Sequence, residues 1–243
     1  ARLVTAESTA AEVGDEALLL GAHSPVCVAA NRPQAVRLLL AAHPECDVLL
    51  SDDGLQHYRL RRDFEIAVID AERKFGNGFL LPAGPLREPS GRLASVDALV
   101  CHGAGEPLQP SPPASPPQFR MQLIGERFYN LLNPDLSVPP QHFKGQTVQA
   151  LAGIGNPKRF FRHLVSLGIE FSARAYPDHH AFRREDLERE PCDALIMTEK
   201  DAVKCQPFAT EKCWALAVEA QIEPDLALHV DSSLRKRHGP EAT

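Results

Sequence analysis

The strongest constraint on how this chain can fold lies in residues 48–89. A short apolar run, Val48-Leu49-Leu50, ends in two adjacent carboxylates, Asp52 and Asp53. A stretch rich in glycine and proline then closes on Arg87-Glu88. A run this short, ending in acids, reads as a buried strand that delivers carboxylates at its C-terminal end. Open α/β sheets build sites for Mg²⁺ and nucleotide phosphates in this way. The rest of the chain is expected to supply the sheet around that edge.

The pattern on either side fits that expectation. Residues 1–5 read as a short strand and Thr9–Glu12 as a turn or weak helix. Asp15 is placed to cap a helix over Ala17–Ala22. Pro25–Ala30 reads as a strand and Pro33–His43 as a helix with proline in its first turn, followed by a strand at Asp47–Leu50. Strand, helix, strand at this spacing predicts a parallel sheet. Glu65–Asp70 reads as a further strand, too continuously apolar to be an edge facing water, and Asp97–Cys101 as another. Residues 74–89 between them form a long aperiodic loop, a kind more often functional than idle.

Residues 104–117 carry six prolines and read as an extended linker. They divide the chain into an expected core domain, 1–117, and a smaller α/β domain, 118–243, joined through strands of Phe119–Leu132 that pair as a ribbon. The second domain alternates strand Thr147–Ala152, helix Lys158–Leu167, strand Glu170–Ala175, helix Arg183–Arg189 and strand Asp193–Thr198. Polar residues 198–201 and a strand at Trp214–Val218 follow, and the basic tail 235–238 is expected to fray.

Composition narrows the function classes. A net charge of −6 gives no general reason to bind nucleic acid. The six cysteines are widely spaced, with no C-x-x-C pair, which argues against a zinc site or a disulfide framework and for a reducing compartment. No run approaches the roughly 20 apolar residues of a membrane span, and no basic-then-apolar signal sequence opens the chain.

Each candidate group has a plain alternative. Asp52-Asp53 before Gly54 is either a turn or a carboxylate pair of which one holds Mg²⁺ beside phosphates. Gly14-Asp15-Glu16 is a helix cap, or it places Asp15 as a general base for a hydroxyl nucleophile. Gln56 and His57 are site residues or the polar start of a helix. Asp178-His179-His180 is a surface pair of histidines, or an Asp-His unit that tunes a base. Arg87-Glu88 is a surface ion pair, or a rigid arginine aimed at a phosphate. Gly153-Ile154-Gly155 lacks the third glycine of a dinucleotide fingerprint and reads as a tight strand-to-helix turn.

In combination these segments are far more specific. Residues 52–89, with GDE at 14–16, AGIGNPKRFF at 152–161, PDHHAF at 177–182 and MTEKDAVKC at 197–205, closely resemble the tetraacyldisaccharide 4'-kinases, the lipid A 4'-kinases of Gram-negative bacteria. The resemblance implies a P-loop NTPase-type α/β fold with a mostly parallel sheet and a second, smaller α/β domain. It also implies use of ATP and Mg²⁺ to phosphorylate the 4'-hydroxyl of tetraacyldisaccharide 1-phosphate at the cytoplasmic face of the inner membrane. Residue by residue, it makes Asp15 the catalytic base and His179 its assistant. Asp52 and Asp53 become the acidic pair near the nucleotide, with Asp53 at the metal. Arg32, Gln56, His57, Arg87 and Glu88 are placed around the substrate, and His180 is not required.

One departure matters. The family's phosphate-binding loop, G-x-x-x-x-G-K-[ST], is not among these 243 residues, nor is an apolar N-terminal helix that rests on the membrane. Such a loop holds the phosphates and Mg²⁺, so the chain alone is expected to bind ATP poorly and turn over little, with apolar surface left exposed. Two other readings stay open: an Mg²⁺-dependent hydrolase using Asp52, Asp53 and His57, and a non-catalytic unit that binds an anionic glycolipid through Arg32 and Arg87.

Overall fold

The computed structural model describes residues 1–103, 105–106, 108 and 115–238. The chain forms two compact units, one of residues 1–50 and 125–218 and the other of residues 51–124 and 219–243. These units cut the chain at three places, unlike the single division expected at 117/118. The physical reason is that strands β5 (Gln118–Asn130) and β10 (Cys213–Ile222) each run on from one unit into the other. The segment read as a paired ribbon is therefore a single 13-residue strand, and the short β6 (Ser137–Val138) pairs antiparallel with its end. Most of the proline-rich stretch read as a linker lies outside the described residues.

In the first unit, β1 (Arg2–Leu3) and β2 (Cys27–Val28) pair antiparallel. Helices α1 (Ala10–Val13), α2 (Asp15–Gly21) and α3 (Arg32–Ala42) accompany them. The unit's main sheet has parallel ladders between β7 (Val148–Ala152) and β8 (Ser172–Ala175), β7 and β9 (Ala194–Thr198), and β9 and β10. Every residue of β7 is buried, as expected of a central parallel strand covered on both faces. One face packs Ala150, Ile196, Trp214 and Leu216 against Phe160 and Leu164 of α4 (Pro157–Ser166). The other packs Leu151, Leu195, Met197 and Ala215 against Leu187 of α5 (Arg184–Glu188) and Ala202 and Cys205 of α6 (Glu199–Cys205). Each fully buried large apolar side chain contributes roughly 1.5–3 kcal/mol.

In the second unit, β3 (Ile66–Asp70), β4 (Ala98–His102) and the start of β5 form parallel ladders. Helix α7 (Asp225–His238) covers one face, with Leu226 packed among Ala98, Val100 and Phe119. The mostly parallel α/β architecture expected from the sequence is what these units show.

Several local expectations fail for identifiable reasons. Asp47–Leu50 is not a strand: it has no ladder partner among the described residues, and Val48, Leu49 and Leu50 are 59%, 40% and 95% exposed. β3 ends the strand order of its sheet, and Val68 is 62% exposed, so an apolar run did not mean two covered faces. The polar residues after β9, to which the sequence assigned no element, form helix α6: the Thr198 hydroxyl accepts the Asp201 N–H, and Ala202 and Cys205 turn inward. The basic tail is helical because it continues α7, whose Leu226 and Val230 pack against Ala98, Val100 and Phe119.

Candidate active site

The first unit brings Asp15 and His179 together across 164 positions of sequence. Gly14, at φ 89°, takes a conformation that side-chain-bearing residues avoid, and α2 therefore starts with Asp15 at its first position. A carboxylate suits the positive end of a helix. Asp15 is 8% exposed; its Oδ1 accepts the Glu16 N–H at 3.0 Å, and its Oδ2 lies 3.3 Å from His179 Nδ1. His179 follows β8 through a turn in which its own N–H is held by Asp178 Oδ1 at 3.0 Å. It adopts φ 57°, a left-handed conformation uncommon for residues other than glycine, which turns the imidazole toward Asp15.

His180 does something else. Its Nε2 lies 3.2 Å from Asp186 Oδ2, and its ring stacks on Tyr176 at 4.5 Å, so it fastens the loop to α5 and leaves the dyad to its neighbour.

The sequence reading missed a second layer, contributed by α6. Lys204 Nζ lies 3.7 Å from Asp15 Oδ2 and 2.8 Å from Asp201 Oδ1, the latter an ion pair rather than an aligned hydrogen bond. Asp201 is fully buried; its Oδ2 accepts the Gly153 N–H at 3.0 Å and the Thr198 hydroxyl at 2.8 Å. Lys200 pairs with Glu16. The signal available beforehand was T-E-K-D, a Ser/Thr-x-x-acid helix start followed by a Lys one turn later. Burial pushes the Asp15 carboxyl upward, but the Glu16 N–H and the charges of Lys204, His179 and Lys200 outweigh it and hold the group below the usual carboxylate range.

The second unit gathers a different cluster. The loop after β3 is stapled by Asn77, which donates to Ala83 O at 2.9 Å and accepts from the Phe79 N–H at 3.1 Å. It presents Arg87 and Glu88 to the turn that holds Asp53 and Gln56. One guanidinium nitrogen of Arg87 reaches both oxygens of Asp53 at 2.6 Å. Gln56 donates to Glu88 Oε1 at 2.6 Å, and Tyr58 donates to Glu88 Oε2. Those two donors hold the Glu88 carboxyl low, and Asp53 raises Arg87. Asp53, like His179, is a non-glycine residue at positive φ, 46°. Behind them Arg62 and Arg92 both pair with Glu65, at 2.8 and 2.7 Å, and fix the turn to the base of β3.

Asp53, Gln56, Arg87 and Glu88 thus form one cluster, and Asp15 and His179 another. Asp52 and half-buried His57 occupy the same turn region as Asp53. Arg32 belongs to the first unit, where it opens α3 after the Asn31 cap. Tyr58, Lys200, Asp201 and Lys204 are additions from the structure.

Comparison with known proteins places the chain as a whole. A model of the family Tetraacyldisaccharide-1-P 4'-kinase matches residues 1–235. The tetraacyldisaccharide 4'-kinase of Methylobacillus flagellatus is 49% identical over 226 residues, 92% of this chain and 65% of that one. That of Dechloromonas aromatica is 47% identical over 239 residues, 97% of this chain and 71% of that one. The crystal structure of LpxK from Aquifex aeolicus in complex with ATP superposes with a TM-score of 0.75 at 28% identity, covering 95% of this chain and 70% of that one. The chain spans about two thirds of the length of these relatives. Its sequence and fold place it in the tetraacyldisaccharide-1-P 4'-kinase family.

Proposed function

We infer that the chain carries the acceptor-activating and phosphate-contacting residues of an ATP-dependent kinase. Its substrate is the 4'-hydroxyl of tetraacyldisaccharide 1-phosphate, and its place is lipid A biosynthesis. The observation that carries this reading is the Asp15–His179 pair. It comprises a carboxylate held ionised at a helix start, 3.3 Å from an imidazole that is 63% exposed and so reachable by substrate.

In phosphoryl transfer the protein's work is positioning and charge stabilisation, with one group taking the hydroxyl proton. Asp15 Oδ2 takes that proton, and His179 Nδ1 shares it. Arg87 supplies a guanidinium for a phosphate, and Glu88 is oriented by Gln56 and Tyr58 toward the sugar. Arg32 and His57 complete the substrate contacts.

Mg²⁺ suits the exposed carboxylates of Asp52 and Asp53, since this ion usually takes one or two protein carboxylates and completes its shell with water and phosphate. Among the described residues no group of three His, Cys, Asp or Glu side chains surrounds a common point, which such a shared shell does not need. When bound, the ion would neutralise charge on the phosphates. Asp53 would hold it, with Arg87 released from its present ion pair. ATP enters the reading through the family and through the ATP complex of the Aquifex aeolicus relative.

Among the described residues no helix is long and apolar enough to cross a membrane. The reading places the protein peripherally on the cytoplasmic face of the inner membrane, where its acylated substrate resides.

The test is transfer of ³²P from ATP and Mg²⁺ to tetraacyldisaccharide 1-phosphate. It compares the 243-residue chain with a form extended upstream to include a G-x-x-x-x-G-K-[ST] loop, each with and without Asp15→Ala. Transfer in the extended form that is lost with Asp15→Ala supports the reading. Absence of transfer in both forms overturns it in favour of a hydrolase or a binding unit.

A further inference from the structure

Lys204 is a charged side chain with no role in the reading above, and it is buried. Only 8% of its side chain is exposed, against 35% for Lys200 on the same helix. An ammonium is held this far from water only with compensation. The compensation is Asp201, itself fully buried and anchored through Oδ2 by the Gly153 N–H and the Thr198 hydroxyl. Lys204 Nζ also lies 3.4 Å from Gly153 O and 5.2 Å from the centre of the Phe182 ring. Three contacts from three separate segments therefore fix the ammonium, and its remaining side faces Asp15 Oδ2 at 3.7 Å. His179 approaches the same oxygen from the loop after β8.

We propose that Lys204 is the positioning residue of the Asp15 base: its ammonium, clamped by Asp201, holds the Asp15 carboxylate ionised and turned toward His179. The proposal rests on the reading of Asp15 as the base. A base in a half-dry site is exposed to two failures, protonation before substrate arrives and rotation away from the hydroxyl. A fixed opposite charge on the side away from solvent opposes both. The other charged groups around Asp15 do not replace it. From α6 Lys200 is committed to Glu16, and from the β8 loop Asp178 adds a negative charge 3.9 Å from His179 Nε2. Glu16, on Asp15's own helix, is balanced by Lys200. The arrangement assigns α6 a purpose its polar sequence does not advertise, which is to deliver one buried cation to the start of α2.

The experiment follows the Asp15 carboxyl by ¹³C NMR in the 243-residue chain, with Asp15→Asn to assign the signal, in wild type, Lys204→Met, Lys204→Arg and Asp201→Asn/Lys204→Met. The double variant removes the buried unpaired carboxylate that Lys204→Met alone leaves behind, so it reports even if the single variant does not fold. The expected result is that the Asp15 midpoint moves up by about one pH unit in both Met variants, as for loss of a close opposite charge, and returns with Lys204→Arg. An unchanged midpoint in the double variant overturns the proposal.

In the extended, loop-bearing protein, Lys204→Met should lower kcat with KM little changed and move the acid limb of the kcat profile upward, with recovery in Lys204→Arg. Lost stability with an unmoved acid limb means a purely structural lysine and also overturns it. If the NMR midpoint moves while Asp15→Asn leaves phosphoryl transfer intact, the base reading fails and the Lys204–Asp15 link survives.

Discussion

Removing the Asp201 carboxylate should be among the most costly single changes in the first unit. Asp201→Ala leaves the Lys204 ammonium without its 2.8 Å partner and strips the Gly153 N–H of its acceptor. Breaking a buried ion pair from one side costs about 3–5 kcal/mol, and an orphaned buried N–H about 1–3 kcal/mol. The two overlap, and Asp15 at 3.7 Å still offers Lys204 some compensation, so the lower end, about 3 kcal/mol, is the expected loss. Trp214 makes the assay specific. It is the chain's only tryptophan, it is 6% exposed, and it sits in the first unit's core, so its fluorescence reports that unit alone. With a urea slope of about 1–3 kcal/mol per molar, the midpoint should fall by about 1–3 M. In Asp201→Ala/Lys204→Met neither charge is left buried alone, so the double variant should lose less than the sum of the singles by more than about 1 kcal/mol. Additivity within about 0.5 kcal/mol, or a midpoint unchanged in Asp201→Ala, refutes the claim that these residues form one charge-compensated unit.

Three further outcomes are expected. Because the folded state depresses the Asp15 carboxyl, the stability it contributes is complete above the unfolded value near ~3.9 and is lost as pH falls through the lower folded value. Trp214-monitored urea midpoints of Asp15→Asn should therefore fall less steeply than wild type in that acid window. Gly84→Ala would place a Cβ 2.1 Å from Asn77 Oδ1 and 2.4 Å from Phe79 O, so the 76–86 loop must open, and limited proteolysis should cut there sooner than in wild type. In the extended protein, Asp15→Ala should reduce kcat by about 10²–10⁴-fold, the usual contribution of a general base. His179→Gln should reduce it less, with KM nearly unchanged in steady-state kinetics.

How far the sequence could be read depended on whether a residue's environment is local. β7 and β9 were legible because continuous short apolar runs with both faces covered describe their own surroundings, and both strands are almost wholly buried. The Asp47–Leu50 run looked the same on paper, yet it lacks a ladder partner among the described residues, and Leu50 is 95% exposed. A strand is a property of its neighbours, which no single run contains. Asp15 and His179 could be named because each stands in a short distinctive motif. Their 3.3 Å approach across the chain could be inferred only from resemblance. Lys204 was out of reach because a lysine on a seven-residue helix reads as solvated, and only Asp15, Gly153 and Asp201 make it otherwise.

Two acid–base pairs, one in each unit, show why that distinction matters. Arg87–Asp53 and Lys204–Asp201 have similar separations, 2.6 and 2.8 Å, and opposite exposures. Both partners of the first are more than half exposed, so the pair is worth at most about 1 kcal/mol, and Arg87 can exchange Asp53 for an incoming phosphate at little cost. That exchange would release the Asp53 carboxylate for a cation in the same motion. Lys204 has no such freedom. Its side chain is 8% exposed and Asp201 not at all, so any partner exchange would strand a charge in the core. The proposed kinase reading calls for both behaviours: groups that follow the phosphate as it arrives, and a base whose position does not depend on what is bound. Exposure, which no motif encodes, separates them here.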